Sequence, residues 1–220
     1  MIAKQRVGSV FGKPTKQTYI LADEINDKSS VLIPDGFDGI NALPFTSKNL
    51  KVTLYEPDTT FLQGGSITID GKTKNVKGLQ KRIDAYEINK LLKYENQNFY
   101  ESTSSKKYDF VYVNNSLERD CNMHLTLSKK IKKLQKAIKP DGHLYIIYKL
   151  TNSTYLETNQ YFRQYEILSY FPKSDWEIIS SKESMDKLIG HIHIRKKTSQ
   201  EKKERYYSFN IKTADYFMST

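Results

Sequence analysis

Val31-Leu32-Ile33-Pro34-Asp35-Gly36-Phe37-Asp38-Gly39, followed by Lys51-Val52-Thr53-Leu54-Tyr55-Glu56, decides the fold. An apolar run ends in a glycine-bearing turn, and a second apolar run ends in an acid 17 positions after Gly39. This order outlines a strand, a ligand loop, a short helix and a second strand carrying a ribose-binding carboxylate. Gly36 and Gly39 allow backbone to approach a ligand closely, and a helix opening after Gly39 offers N–H groups to a carboxylate. Glu56 can accept hydrogen bonds from two ribose hydroxyls. Each feature also has a plain interpretation. Pro-Asp-Gly is an ordinary turn, and an acid at a strand end is ordinarily solvated.

Working outward, Tyr19, Ile20, Leu21 and Ile25 have helical spacing behind a cap at Thr15 or Thr18. Gly39–Phe45 is a short helix limited by Pro44. Ser66-Ile67-Thr68-Ile69 alternates, Asp70-Gly71 is a hairpin pair, and Lys72–Val76 returns, so a hairpin is inserted around residues 64–77. Leu79, Ile83, Tyr86, Ile88, Leu91 and Leu92 line a helix. Asn98–Glu101 is a candidate third strand, and Tyr108–Val113 is the clearest strand of the middle. Leu127, Ile131, Leu134 and Ile138 form the apolar side of a helix whose other sides carry Lys129, Lys130, Lys132, Lys133 and Lys136. Pro140-Asp141-Gly142 stops it and starts the strand His143–Leu150. A helix is expected over Tyr155–Phe171, then strands Trp176–Ser180 and His191–Arg195. Alternating strands and helices predict a doubly wound, Rossmann-like α/β fold with a mostly parallel sheet. The two late strands, lacking a full helix between them, predict an antiparallel edge.

Composition narrows the function classes. The 220 residues make one domain, 1–196, with a basic and aromatic tail, 197–220. One cysteine, Cys121, excludes an internal disulfide framework and fits a reducing compartment. No apolar run approaches the roughly 18 residues of a membrane span, and the N-terminus lacks a signal peptide, so a cytoplasmic protein off the membrane is expected. With 35 basic and 25 acidic residues the net charge is +10, an excess that attracts polyanions such as DNA or RNA. The 16 Tyr and 10 Phe offer stacking surfaces, although aromatic residues ordinarily serve cores and strands. His191 and His193 share a strand face, but no Cys or acid stands at ligand spacing, so no metal site is expected. Cys121 near His124 has no third group and is read as a structural thiol. The lysine-rich helix is read as a solvated face.

A third strand end carries Asn114-Asn115-Ser116, whose amide and hydroxyl groups suit a polar ligand. With these residues in place the chain resembles the class I S-adenosylmethionine-dependent methyltransferases over roughly residues 8–196. The nearest variant is the group acting on adenine amino groups in nucleic acid. Its first motif, Asp-Pro-x-x-Gly-x-Gly, is matched at Pro34 and Gly39, with Ile33 in place of the acid and Phe37 in place of the middle glycine. Val7–Pro14 is similar to the Gly…Thr-Pro segment that holds the methionine end of the cofactor, with Lys13 where Thr is expected. Glu56 matches the ribose-binding acid. Tyr108–Asn114 resembles the strand leading into Asn-Pro-Pro-Tyr, but both prolines and the aromatic residue are replaced by Asn115-Ser116-Leu117.

The resemblance implies S-adenosylmethionine bound by Lys13, Pro14, Pro34, Asp35, Gly36, Asp38, Gly39 and Glu56. It also implies an acceptor amine received by Asn114, Asn115 and Ser116, with nucleic acid as the substrate. Ile33, Phe37 and the missing Pro-Pro-Tyr support a different function: a catalytically degenerate module of the same fold that binds nucleic acid or a protein partner. Methylation of a small molecule or protein is a third. Oligomeric state is left open.

Overall fold

Strict alternation in Phe110-Val111-Tyr112-Val113 puts successive side chains on opposite faces of a strand, and the sheet built on it is buried on both sides. A computed structural model describes residues 7–69, 71–150, 162–184 and 188–202. Seven strands form the main sheet: β1 (Ser30–Ile33), β2 (Lys51–Tyr55), β5 (Leu92–Glu95), β6 (Tyr108–Asn114), β7 (Ile138–Lys149), β8 (Trp176–Ser184) and β9 (Ile189–Lys196). Their order is β5-β2-β1-β6-β7-β9-β8, parallel from β5 to β7 and antiparallel at β9 and β8. The expected mostly parallel sheet with an antiparallel edge is therefore present. The expected hairpin is the separate pair β3 (Gly65–Ile69) and β4 (Lys72–Val76). Asp70 of its turn, the first seven residues of Tyr155–Phe171 and the tail from residue 203 lie outside the described residues, and in the described part of Tyr155–Phe171 the helix is confined to Gln164–Leu168.

The helices cover both faces. On one, α1 (Lys16–Glu24), α2 (Leu43–Thr46) and α4 (Leu79–Tyr86) bury Leu21, Phe45, Leu79 and Ile83 against Ile33, Leu54, Phe110 and Tyr112. On the other, α5 (Leu127–Lys136) buries Ile131 and Leu134 against Val111, Val113, Leu144 and Ile146. Caps fix where these helices begin. Thr15 accepts from Thr18 N at α1, and Thr126 accepts from Lys129 N at α5. Asp58 accepts from Thr60 N at α3 (Thr59–Gln63). Helix α6 (Gln164–Leu168) follows Arg163. Among the described residues no helix is long and apolar enough to cross a membrane.

Four expectations change. The helix begun at Leu79 ends at Tyr86, because Glu87 turns left-handed (φ 55°) and its N–H closes on Ile83 O and Asp84 O. The third strand is therefore Leu92–Glu95. Asn98–Glu101 is a tight turn whose Asn98 side chain accepts from Tyr100 N. Pro140-Asp141-Gly142 does not divide helix from strand. α5 stops at Lys136, and the three residues sit in an irregularity of β7, where pairing moves from Tyr108↔Ile138 to Phe110↔His143. Finally, Lys130 is not on a solvated side of α5. It is fully buried, and its ammonium donates to Leu117 O at 2.6 Å.

The chain runs from β1 outward to β2 and β5, then crosses back to β6 on the other side of β1. That reversal is a topological switch point, and the carboxyl ends of β1 and β6 beside it are where ligands of such sheets sit.

Candidate functional site

Three chain segments meet at the carboxyl ends of β1, β2 and β6. The turn after β1 has left-handed residues at alternate positions, Asp35 (φ 50°), Phe37 (φ 52°) and Gly39 (φ 76°). Only the last is a glycine, so the loop keeps a glycine-rich trajectory with two side chains that disfavour it. Gly36 and Gly39 have a packing role here. A Cβ on Gly36 would lie 2.2 Å from the Leu54 side chain, and one on Gly39 would lie 2.2 Å from Leu79. The space that suggested ligand approach is filled by the core.

Glu56, at the end of β2, is fully buried. Oε2 accepts from Phe37 N at 2.8 Å and Oε1 from Asp58 N at 2.9 Å. Arg119, in the loop after β6, donates to both oxygens at 2.7 Å, a bidentate fork. A carboxylate has about four acceptor sites, and all are used. The Arg119 guanidinium lies 4.3 Å from the Phe37 ring and 5.4 Å from that of Phe61. Phe11, from the segment before α1, completes an aromatic trio at 4.9 Å from Phe37 and 5.6 Å from Phe61.

Asp35 turns away from the cleft into a buried polar network. Its Oδ2 accepts from Ser116 Oγ at 2.6 Å and Asn122 Nδ2 at 2.5 Å. Ser116 gives its only proton to Asp35, so Tyr100 OH, 2.8 Å away, donates to Ser116. Burial raises the Asp35 carboxyl above its usual range, and Arg119, Ser116 and Asn122 partly oppose that. Tyr100 stays protonated because burial, helped by Asp35, pushes its phenol up. The Cys121 thiol is pushed up to about 11 by burial and then by Asp35, and His124 pairs with Glu101 instead.

Asp38 is buried against Arg82, whose Nη2 lies 3.0 Å from Asp38 Oδ2. The same guanidinium donates to Asp38 O and to Val7 O, which ties the segment before α1 to the loop. Pro34 is buried, while Lys13 and Pro14 line a 660 Å³ groove with Tyr19, Ile40 and Leu91, beside the aromatic trio. Asn114 ends β6 half-buried. Asn115 is left-handed (φ 51°), its N–H held by Ile147 O, and its Oδ1 is buried with no partner among the described residues. The strand histidines pair elsewhere: His193 with His143 at 3.0 Å, and His191 with the Tyr145 hydroxyl at 3.0 Å. Burial, with His143 adding to it, pushes His193 down to about 4.

Sequence reasoning missed Arg82 and Arg119. Arg82 did leave a signal, since it stands between Leu79 and Ile83 on the apolar side of α4. Arg119 left none, because its partners lie 63 and 84 positions earlier (Glu56 and Asp35).

No family model matches this chain, and no curated protein matches it. Solved structures do. TehB from Haemophilus influenzae is 14% identical with a TM-score of 0.61, over 84% of this chain and 63% of TehB, so the chain spans less than two thirds of that protein. Burkholderia thailandensis 1,6-didemethyltoxoflavin-N1-methyltransferase, solved with S-adenosylhomocysteine, is 12% identical with a TM-score of 0.57, over 83% and 77% of the two chains. The [4+2]-cyclase SpnF is 8% identical with a TM-score of 0.65, over 83% and 81%. The chain has the class I methyltransferase fold. At these identities the likeness is one of fold, and the fold carries more than one named chemistry.

S-adenosylmethionine, the cofactor that the fold implies, needs a ribose-binding carboxylate with free lone pairs and an open turn beside it. Glu56 has no free acceptor, and Arg119 with Phe37, Phe61 and Phe11 occupies the turn. As arranged, these residues do not fit the cofactor.

Proposed function

We propose that this chain is a nucleic-acid-binding protein built on the methyltransferase fold, with its nucleoside cleft closed by its own Arg119 and no methyl transfer. The observation that carries this is the bidentate Arg119–Glu56 pair. A guanidinium that saturates the ribose acid is an internal substitute for the ligand. Phe37 and Asp35 at left-handed positions, and core side chains against Gly36 and Gly39, agree with it. The polyanion partner is supported by the net charge of +10.

A second function, methyl transfer from S-adenosylmethionine to nucleic acid, is favoured by the fold shared with a methyltransferase solved with S-adenosylhomocysteine. It is also favoured by the retained trajectory of the turn. Under it Asn115 Oδ1, buried and unpartnered among the described residues, joins Asn114 in polarising an acceptor amine. Ser116, already spent on Asp35, supports the turn.

Calorimetry with S-adenosylmethionine separates the two. The folded protein is expected to give no binding heat at about millimolar cofactor, because Glu56 keeps no acceptor for a ribose. Saturable binding, lost in Glu56→Ala, would establish the second function.

A further inference from the structure

At the opposite end of β6 from the cleft, the start of that strand, the end of α5 and β9 enclose a groove of 610 Å³. Five of its lining residues are lysines, Lys107, Lys132, Lys133, Lys136 and Lys196, and none is acidic. Among the described residues no carboxylate pairs with any of the five. The nearby acids are already engaged, Asp109 by Lys139 and Asp175 by Lys202.

Two of the lysines form a fixed floor. Lys133 Nζ donates to Ser102 O and Ser104 O, and Lys196 Nζ donates to Gln135 O at 3.1 Å and Ile138 O at 3.0 Å. Gln135 O and Ile138 O stand at and just beyond the end of α5, where the helix dipole favours cations, while Ser102 O and Ser104 O belong to the segment before β6. An ammonium has three donors, so each keeps one beyond these carbonyls, with the Phe99 ring 5.4 Å from Lys133 Nζ and the Trp176 ring 5.5 Å from Lys196 Nζ. Lys107, Lys132 and Lys136 are exposed around this floor, and Thr103 and Ser105 add exposed hydroxyls. Burial holds both floor ammoniums below their usual range, and neighbouring cations add to it: Lys136 for Lys133, Lys107 and Lys202 for Lys196. That mutual repulsion is relieved by an anion.

We infer that this groove docks the phosphate backbone of a nucleic acid without reading its bases, an inference that rests on the nucleic-acid partner proposed above. No aromatic side chain lines it, and its one amide, Gln135, is spent on Tyr170 O. Base stacking and edge recognition are therefore missing, and charge with hydroxyl donors is what remains. The seven residues of β6 put the groove about 20 Å from the cleft, at about 3.3 Å per residue.

The test is anisotropy titration of labelled oligonucleotides of unrelated sequence over a range of salt. It compares the wild type, the triple variant Lys107→Glu, Lys132→Glu, Lys136→Glu, and a control of equal charge change, Lys72→Glu, Lys74→Glu, Lys81→Glu. The groove variant is expected to bind about tenfold or more weakly and to lose about 2–3 from the log–log salt slope, while the control changes affinity about threefold or less. Equal losses in both variants would reduce the effect to net charge and overturn the groove. Unchanged binding in the groove variant would overturn it while leaving the nucleic-acid partner standing. No binding by wild type at low salt would overturn both. Binding to phosphatidylserine vesicles in preference to oligonucleotide would replace the partner with a membrane surface.

Discussion

The two ends of β6 handle charge in opposite ways. At the carboxyl end, Arg119 meets Glu56 and Asp35, Arg82 meets Asp38, and the cluster is sealed under aromatic rings. At the other end five lysines face a groove with no carboxylate partner among the described residues. Buried charge survives only when it is paired and hydrogen-bonded, so the first set is bound into the fold. Exposed like charge needs no partner to survive and mildly opposes folding, so the second set is open to a ligand. In this fold the carboxyl end is the expected ligand end. Here it is the end whose carboxylates are paired with guanidiniums inside the fold.

The contrast is most sharply broken at Arg119. Arg119→Met removes the fork and leaves Glu56 buried with two of its four hydrogen bonds, and Asp35 without its nearest cation. Unpairing a buried charge costs about 3–5 kcal/mol, and a loss of that order in urea unfolding is expected. Adding Glu56→Gln should recover part of it, since the stranded charge goes as well. A loss below about 1 kcal/mol would show that the cleft opens cheaply, which would favour the cofactor-binding function.

How much of this was legible follows from where each signal lies. β1, β2, β6, the hairpin and the antiparallel edge were readable because their alternation or turn chemistry lies within a few residues. β5 was hidden, because Leu91 and Leu92 also satisfy the helical spacing begun at Leu79, and only the left-handed Glu87 breaks it. Gly36 and Gly39 were legible as special positions. That Leu54 and Leu79 fill the space above them depends on β2 and α4 docking, which no local pattern reports. The same holds for the site. Glu56 was visible as an acid at a strand end, but its saturation depends on Arg119 from a loop after β6. Lys130 likewise reads as one more surface lysine until Leu117 O is placed beneath its ammonium.

Glu118 is the exception at the matched end. Its Oε1 accepts from Lys149 N at 2.7 Å, but Oε2 has no partner among the described residues, and desolvation pushes the carboxyl up to about 7 from an ordinary 4.5. The folded protein thus holds this proton more tightly than the unfolded chain. The stabilisation is full below the unfolded pKa of 4.5 and is lost as pH rises through the folded value of about 7. Glu118→Gln should flatten that fall, with wild type losing more than the variant between about pH 5 and about pH 8 in urea midpoints. Parallel pH profiles would mean that this carboxylate is solvated and that the matched end is less dry than its burial implies.

The smallest effect is expected in the groove. Lys107→Gln, Lys132→Gln and Lys136→Gln delete three exposed cations that no carboxylate among the described residues pairs with, and substitutions at such positions stay within about 0.5 kcal/mol. The sign should be stabilising, because the repulsion those cations exert on the fixed ammoniums of Lys133 and Lys196 is removed. A rise in thermal midpoint that shrinks with added salt would identify that repulsion, since screening weakens it in the wild type as well. A fall of more than about 1 kcal/mol would mean that these lysines hold the fold together as Arg119 does, and the two ends of β6 would no longer differ in kind.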